Sequence, residues 1–270
     1  LAIYGSSTLL VGTNSQLFTS KNTSWIYPGG TLSAANAKKV QFAVLAMQSG
    51  ATFSAPSLQT VFKGGFRNAG TFTHNNGTVI FSPKRVGDTI FQVETGGTGT
   101  GKDFYNVIKN SGRPYKMNGD MQVNDIRFNK GVWDVMGYDL YVKGNYTSHG
   151  TNRREVTNAN VSTSVIFNGS GNQTIIAHHT DSYPSFENLT ITNTSGVVSF
   201  SIKDVDVDNT LTINSGATLD IEGNNFDATT LVNNGTFKLQ GGETLAITNK
   251  DTDSGTITYD GSGSYTDLEY

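Results

Sequence analysis

The chain has 270 residues, a formal net charge of −3, 15% charged residues, 31 glycines and no cysteine. The lack of cysteine excludes disulfide staples, thiolate zinc sites and cysteine nucleophiles, and the small negative charge gives no basis for nucleic-acid binding. The longest apolar stretch, Phe42 to Met47, is far short of the roughly 18 residues of a membrane-spanning helix.

Residues 1–48 read as an amino-terminal capping or subunit-contact segment. Leu1-Ala2-Ile3-Tyr4 and Leu9-Leu10-Val11 have strand character and could pair with a neighbouring subunit by β-augmentation or form an ordinary first strand. The start at Leu1 rather than Met fits removal of an initiator or a signal sequence, and equally a cropped chain; on the signal-sequence reading, secretion is an expectation. Residues 33–47 read two ways: the Ala- and Lys-rich start suggests a helix, whereas Phe42-Ala43-Val44-Leu45 aligns with the strand-like Thr210-Leu211-Thr212-Ile213.

From residue 49 to 270 the pattern is a solenoid with three partial internal repeats. Thr78-Val79-Ile80-Phe81 leading to Gly87-Asp88-Thr89-Ile90 returns as Ser164-Val165-Ile166-Phe167 leading to Gly171, and again as Thr256-Ile257-Thr258-Tyr259 leading to Gly263. The anchors Phe81, Phe167 and Tyr259 are spaced by 167 − 81 = 86 and 259 − 167 = 92. Ser49-Gly50-Ala51-Thr52 returns as Ser215-Gly216-Ala217-Thr218, and Asn68-Ala69-Gly70-Thr71-Phe72 as Asn233-Asn234-Gly235-Thr236-Phe237. A repeat of roughly 85 residues is too long for one turn and divides into rungs of roughly 20 residues. Period-two alternation means strand, and Asn-Gly and Ser-Gly mean turns that accept positive φ, as Gly216 and Gly235 are expected to do. The fold expected is all-β, a right-handed parallel β-helix whose rungs bury inward Val, Ile, Leu and Phe against one another. A chain of small β-sandwiches is the alternative.

Signals for chemistry are few. Residues 96–102 match the Gly-x-x-x-x-Gly-Lys spacing, but Asp103 and a strand-like run follow instead of Ser or Thr and a helix, so the segment reads as a loop insertion. His178 and His179 point to opposite faces of a strand, and His74 and His149 lack ligand spacing. Asp204, Asp206 and Asp208 share one strand face as weak calcium candidates, although the loop of an EF-hand is missing. Acid/base pairs for a glycan-cleaving enzyme would be Asp134 with Asp139, or Asp204 with Lys203; neither is specific. No catalytic residue, cofactor or metal is assigned, and the chain is not expected to be an enzyme. Sequons make Asn22, Asn76, Asn145, Asn160, Asn168, Asn172, Asn188, Asn193 and Asn234 glycosylation candidates. Trp133, Tyr138 and Tyr141 are candidates for stacking on sugar rings, with core filling as the alternative for each ring because Trp133 and Val135 share a face, and a second aromatic cluster lies at Trp25 and Tyr27.

The phrases Asn168-Gly169-Ser170-Gly171-Asn172-Gln173-Thr174-Ile175, Phe186-Glu187-Asn188-Leu189-Thr190-Ile191 and 209–221 resemble rungs of secreted bacterial and archaeal β-helix surface proteins, including large adhesins and filament-forming exoproteins. The resemblance implies an extracellular structural protein that polymerises head to tail with copies of itself into a filament or cell-surface fibre. A carbohydrate-binding adhesin or stalk, with surface polysaccharide as partner, is the alternative it leaves open.

Overall fold

The computed structural model describes residues 1–83, 91–149, 156–157, 163–178, 185–201, 204–251 and 253–263. It is an all-β parallel solenoid of about 11 turns, with rungs of roughly 21 residues. Every described strand pairing is parallel and joins one rung to the next. The strands stack in three columns around the axis.

One column runs Leu9↔Leu32↔Phe53↔Phe72 and continues higher up as Leu140↔Val165↔Leu189↔Leu211↔Leu231. A second runs Val40↔Thr60↔Val79↔Val107↔Ile126↔Tyr146↔Ile175↔Phe200. The third contains Ile26↔Met47↔Asn68, then Tyr115↔Trp133↔Val156, then Val205↔Phe226↔Leu245. The inward half of each alternation builds one continuous core, and the outward half stays polar, because a rung can cover its apolar positions only against its neighbours.

Strand pairing crosses residue 48 without interruption, since Thr31–Ser33 pairs with Thr52–Ser54 and Lys39–Met47 pairs with Gln59–Phe62. Within residues 33–47 there is no helix: 34–38 form a turn and Lys39–Met47 is a strand. Lys39–Met47 alternates with Val40 and Phe42 fully buried, and packing of these residues outweighs the helix preference of the preceding alanines.

Rung length varies: Thr31 to Thr52 is 52 − 31 = 21 residues, Thr60 to Val79 is 79 − 60 = 19, and Val79 to Val107 is 107 − 79 = 28. The last of these steps includes the glycine-rich loop 96–102, so insertions bulge outward at corners while the columns keep register. The three anchors of the internal repeat do not share a column. Phe81 and Tyr259 lie on the second, Phe167 on the first.

Aromatic rings stack along the second column: Phe42 on Phe62 at 5.9 Å between centroids, and Phe62 on Phe81 at 5.4 Å. Each such pair adds about 0.5–1.5 kcal/mol beyond the area it buries. The next inward position after Phe81 is Lys109, which pairs onward with Phe128. Lys109 is fully buried, and its ammonium donates to the carbonyls of Ser111, Arg113 (2.6 Å) and Lys130 (3.3 Å) at the corner beside it.

At the corners the chain must bend out of the ladder, and Asp or Asn side chains replace the missing carbonyls. Asp125 Oδ1 accepts the Asn145 N–H one rung on at 2.6 Å, and Asn145 Oδ1 accepts that of Thr174 at 2.8 Å. Asn172 serves Val197 at 3.0 Å, Asp204 serves Asn225 at 2.9 Å, and Asn225 serves Thr244 at 2.8 Å. These bonds spare edge amides the cost of burial without a partner.

Gly216 has φ +77°, as its turn requires. Gly235 does not have positive φ. It is glycine because a Cβ would meet the carbonyl oxygens of Ala217 and Asn214, the second at 2.5 Å. Gly70 is in the same position, with a Cβ falling on the carbonyl oxygens of Ala51 and Gln48. Close approach of successive rungs, not backbone handedness, selects glycine at these two corners.

Candidate functional site

Because the interior is filled, chemistry must come from the outward positions and corner loops. The glycine-rich loop 96–102 has Gly96, Gly97, Gly99 and Gly101 at positive φ, and the strand Phe104–Asn110 follows it. Lys102, the residue in the phosphate-binding position, instead ties the loop down by donating to the carbonyls of Gly70 at 2.6 Å and Asn68 at 3.3 Å. Burial lowers its pKa. The loop is a stapled insertion.

Asp204, Asp206 and Asp208 flank the buried Val205 and Val207 on Val205–Ile213, on its outward side as expected. Asp204 caps the neighbouring rung through Asn225, and Asp208 accepts a hydrogen bond from Ser185 Oγ at 2.7 Å. Among the described residues no three His, Asp or Glu side chains converge as a metal-holding group.

The acid pair Asp134 and Asp139 is likewise occupied. Asp134 Oδ1 accepts the Met136 N–H at 3.1 Å, and its other oxygen lies 3.8 Å from Lys116 Nζ. Asp139 Oδ1 accepts the Ser164 N–H at 2.9 Å. A denser charge ladder, which sequence reading did not single out, joins Lys238 Nζ to Asp220 at 2.7 Å and Asp260 at 2.6 Å. The two carboxylates raise the Lys238 pKa, while burial and Asp220 raise that of Glu222 nearby.

Of the three stacking candidates, Trp133 is corrected: it is only 1% exposed, its ring packed edge-on to Phe81 at 5.0 Å and tilted over Tyr115 at 5.8 Å, so it fills the core and offers no face to a sugar. Period-two alternation places Trp133 on the same side as the buried Val135. Tyr138 is 36% exposed and Tyr141 half-buried, with burial followed by Asp139 and Asp120 raising the Tyr141 pKa. A better-formed outward cluster lies in the first turns. Tyr4 stacks on Tyr27 at 4.3 Å and 11°, and Trp25 lies 6.0 Å from Tyr27. Tyr4 enters this cluster because its rung pairs Ala2 with Trp25 and Ile3 with Ile26.

The sequons divide by burial. Asn188 and Asn193 are buried, their carboxamides donating to Thr163 O and Gly171 O respectively. Asn145 and Asn168 are half-buried, and Asn22, Asn76, Asn172 and Asn234 are exposed. Asn160, His179, Asp181 and Lys203 lie outside the described residues.

One juxtaposition is invisible in the linear spacing. The imidazoles of His149 and His178 lie parallel, at 4.1 Å between centroids and 11° between planes. Burial, with the Arg127 guanidinium and then His178 beside it, holds His149 below the ordinary imidazole pKa. Comparison with protein-family models, with curated proteins and with solved structures returns no match.

Proposed function

We propose that this chain is an extracellular structural protein, an element of a filament or cell-surface fibre built by head-to-tail association of copies. The observation that carries the reading is the in-register parallel pairing of rung on rung throughout the described chain. The surface a rung offers is the surface the next rung needs, so a second copy stacked end to end repeats a contact already made inside one chain. Such heterologous, non-closing association grows a fibre. An outer face of low charge and exposed sequons supports an extracellular setting. The reading assigns no catalytic activity.

Negative-stain electron microscopy of the purified chain tests it. With about 11 turns at roughly 4.8 Å each, one copy is a rod of about 50 Å. Fibres whose length grows with concentration support assembly, and their loss on deleting residues 1–12 would place the contact at the first strands. Isolated rods at every concentration would reject polymerisation.

A second reading, binding of a neutral surface polysaccharide, is favoured by the Tyr4, Trp25 and Tyr27 cluster, since stacked rings with accessible surface can pack on sugar faces. Retention on insoluble polysaccharide that a Trp25→Ala, Tyr27→Ala double variant loses would establish it. Equal retention of both proteins would reject it.

A further inference from the structure

His149 and His178 are 178 − 149 = 29 residues apart in the chain and on adjacent rungs in space. The His149 N–H donates to Phe128 O at 2.7 Å and the His178 N–H to Ser148 O at 2.9 Å, which holds the two backbones in register. Their rings stack at 4.1 Å on the outer surface, and among the described residues neither imidazole takes part in a hydrogen bond. No described hydrogen bond therefore competes with a ligand for these nitrogens. Histidines with no better use of their donors and acceptors would ordinarily point apart into water; here the rung spacing holds two at one place.

We propose that His149 and His178 form a two-imidazole binding site for a divalent transition metal ion of the copper, nickel or zinc group, completed by water. Imidazole suits these ions, and carboxylate-preferring calcium and magnesium are excluded by the donor type. Metal–nitrogen bonds of about 2.0–2.1 Å at a near-tetrahedral angle put the two nitrogens about 3.3 Å apart. The 4.1 Å separates the centroids of nearly parallel rings, whose nitrogen lone pairs run side by side, so binding requires the rings to turn out of the stack until both lone pairs converge on the ion. Rotation about the broad second torsion of histidine supplies that turn, at the cost of the stacking contact. Arg127 opposes the cation. Its exposed guanidinium is turned to Asn129, with Nε donating to Oδ1 at 2.7 Å, and salt reduces its repulsion without removing it. Neutral imidazole is the ligating form, and the environment of His149 already favours it.

The proposal is independent of filament formation and is tested on the full chain in solution. Calorimetric titration with copper(II), nickel(II) and zinc(II) chlorides, in a non-coordinating buffer at about pH 7.5, should show saturable binding of one ion, tightest for copper. Binding should be lost in His149→Ala and separately in His178→Ala, because each removes half of a chelate, and kept in His74→Ala and His179→Ala. Both imidazoles project outward, so far-ultraviolet circular dichroism should be unchanged in every variant. Electron paramagnetic resonance of the copper form should show coupling to two nitrogens. Absence of saturable binding, binding that survives either His149→Ala or His178→Ala, or loss only in His179→Ala would each overturn the site.

Discussion

Replacing Lys109 by methionine should remove a pH dependence of stability that the wild-type chain owes to one buried ammonium. Lys109 has no exposed surface; it stands in a column of phenylalanines, with the Tyr115 ring centroid 5.5 Å from its Nζ. No carboxylate contacts it among its described partners, which are backbone carbonyls. Burial lowers its pKa from 10.5 to about 8. The difference, 10.5 − 8, at about 1.4 kcal/mol per unit, corresponds to about 3 kcal/mol. Below pH 8 the lysine is protonated in both folded and unfolded chains, and folding bears the full cost of burying the charge. Between about 8 and 10.5 the unfolded chain keeps a proton that the folded chain has lost, so stability rises with pH. Above about pH 10 the trend reverses, because burial raises the Tyr115 pKa and the phenol ionises first in the unfolded chain. Urea midpoints followed by circular dichroism from about pH 7 to 10 should climb for wild type and climb less for Lys109→Met, in which Lys102 with its lowered pKa remains. A wild-type midpoint that is flat or falling over that window, or an equal slope in both proteins, would refute the reasoning.

Gly235→Val should lower the melting temperature far more than Thr236→Ser, because its Cβ would collide with carbonyl oxygens of the preceding rung and with Ile213 Cγ2 at 2.8 Å; Gly70→Val should behave alike. Surface changes of the Thr236→Ser kind stay within about 0.5 kcal/mol, so calorimetry should separate the two classes clearly. Phe81→Ala should cost about 3–5 kcal/mol in urea denaturation, since the ring is fully buried against Phe62, Phe104, Tyr115 and Trp133. If the chain is made in a glycosylating secretory host, peptide mass spectrometry should find glycans at Asn22, Asn76, Asn172 or Asn234, and none at the buried Asn188 and Asn193.

Strand, turn and rung were legible in the sequence because alternation and Asn-Gly corners are local signals, and Leu211-Thr212-Ile213 folds as that pattern predicts. Position around the axis was not legible. Ser49-Gly50-Ala51-Thr52 leads into the first column and its verbatim copy at 215–218 leads into the second, with nearly identical glycine angles of +78° and +77°. All three corners pose the same steric problem, so the same words solve it at any of them. For that reason the long repeat marks shared corner grammar and not a fixed number of faces. Lateral partners such as His149 with His178 depend on the lengths of the loops between rungs, which period-two reading does not fix. Whether Trp133 filled the core or faced a sugar was open for a related reason: an aromatic on a strand has two faces open to it, and only the column decides which one is core.

The ladder hydrogen bonds between the described strands point along the rod, and that orientation sets its response to force. Tension applied between the two ends pulls each rung away from the next in the direction of its own bonds, so they open a few at a time at one end instead of resisting together. Each released rung of roughly 21 residues would pay out about 70 Å of chain at roughly 3.4 Å per residue. A load across the rod finds the covalent chain wound around it and meets far greater resistance. A surface fibre made of such units would yield stepwise when stretched, lengthening by single turns while the turns that remain stay folded.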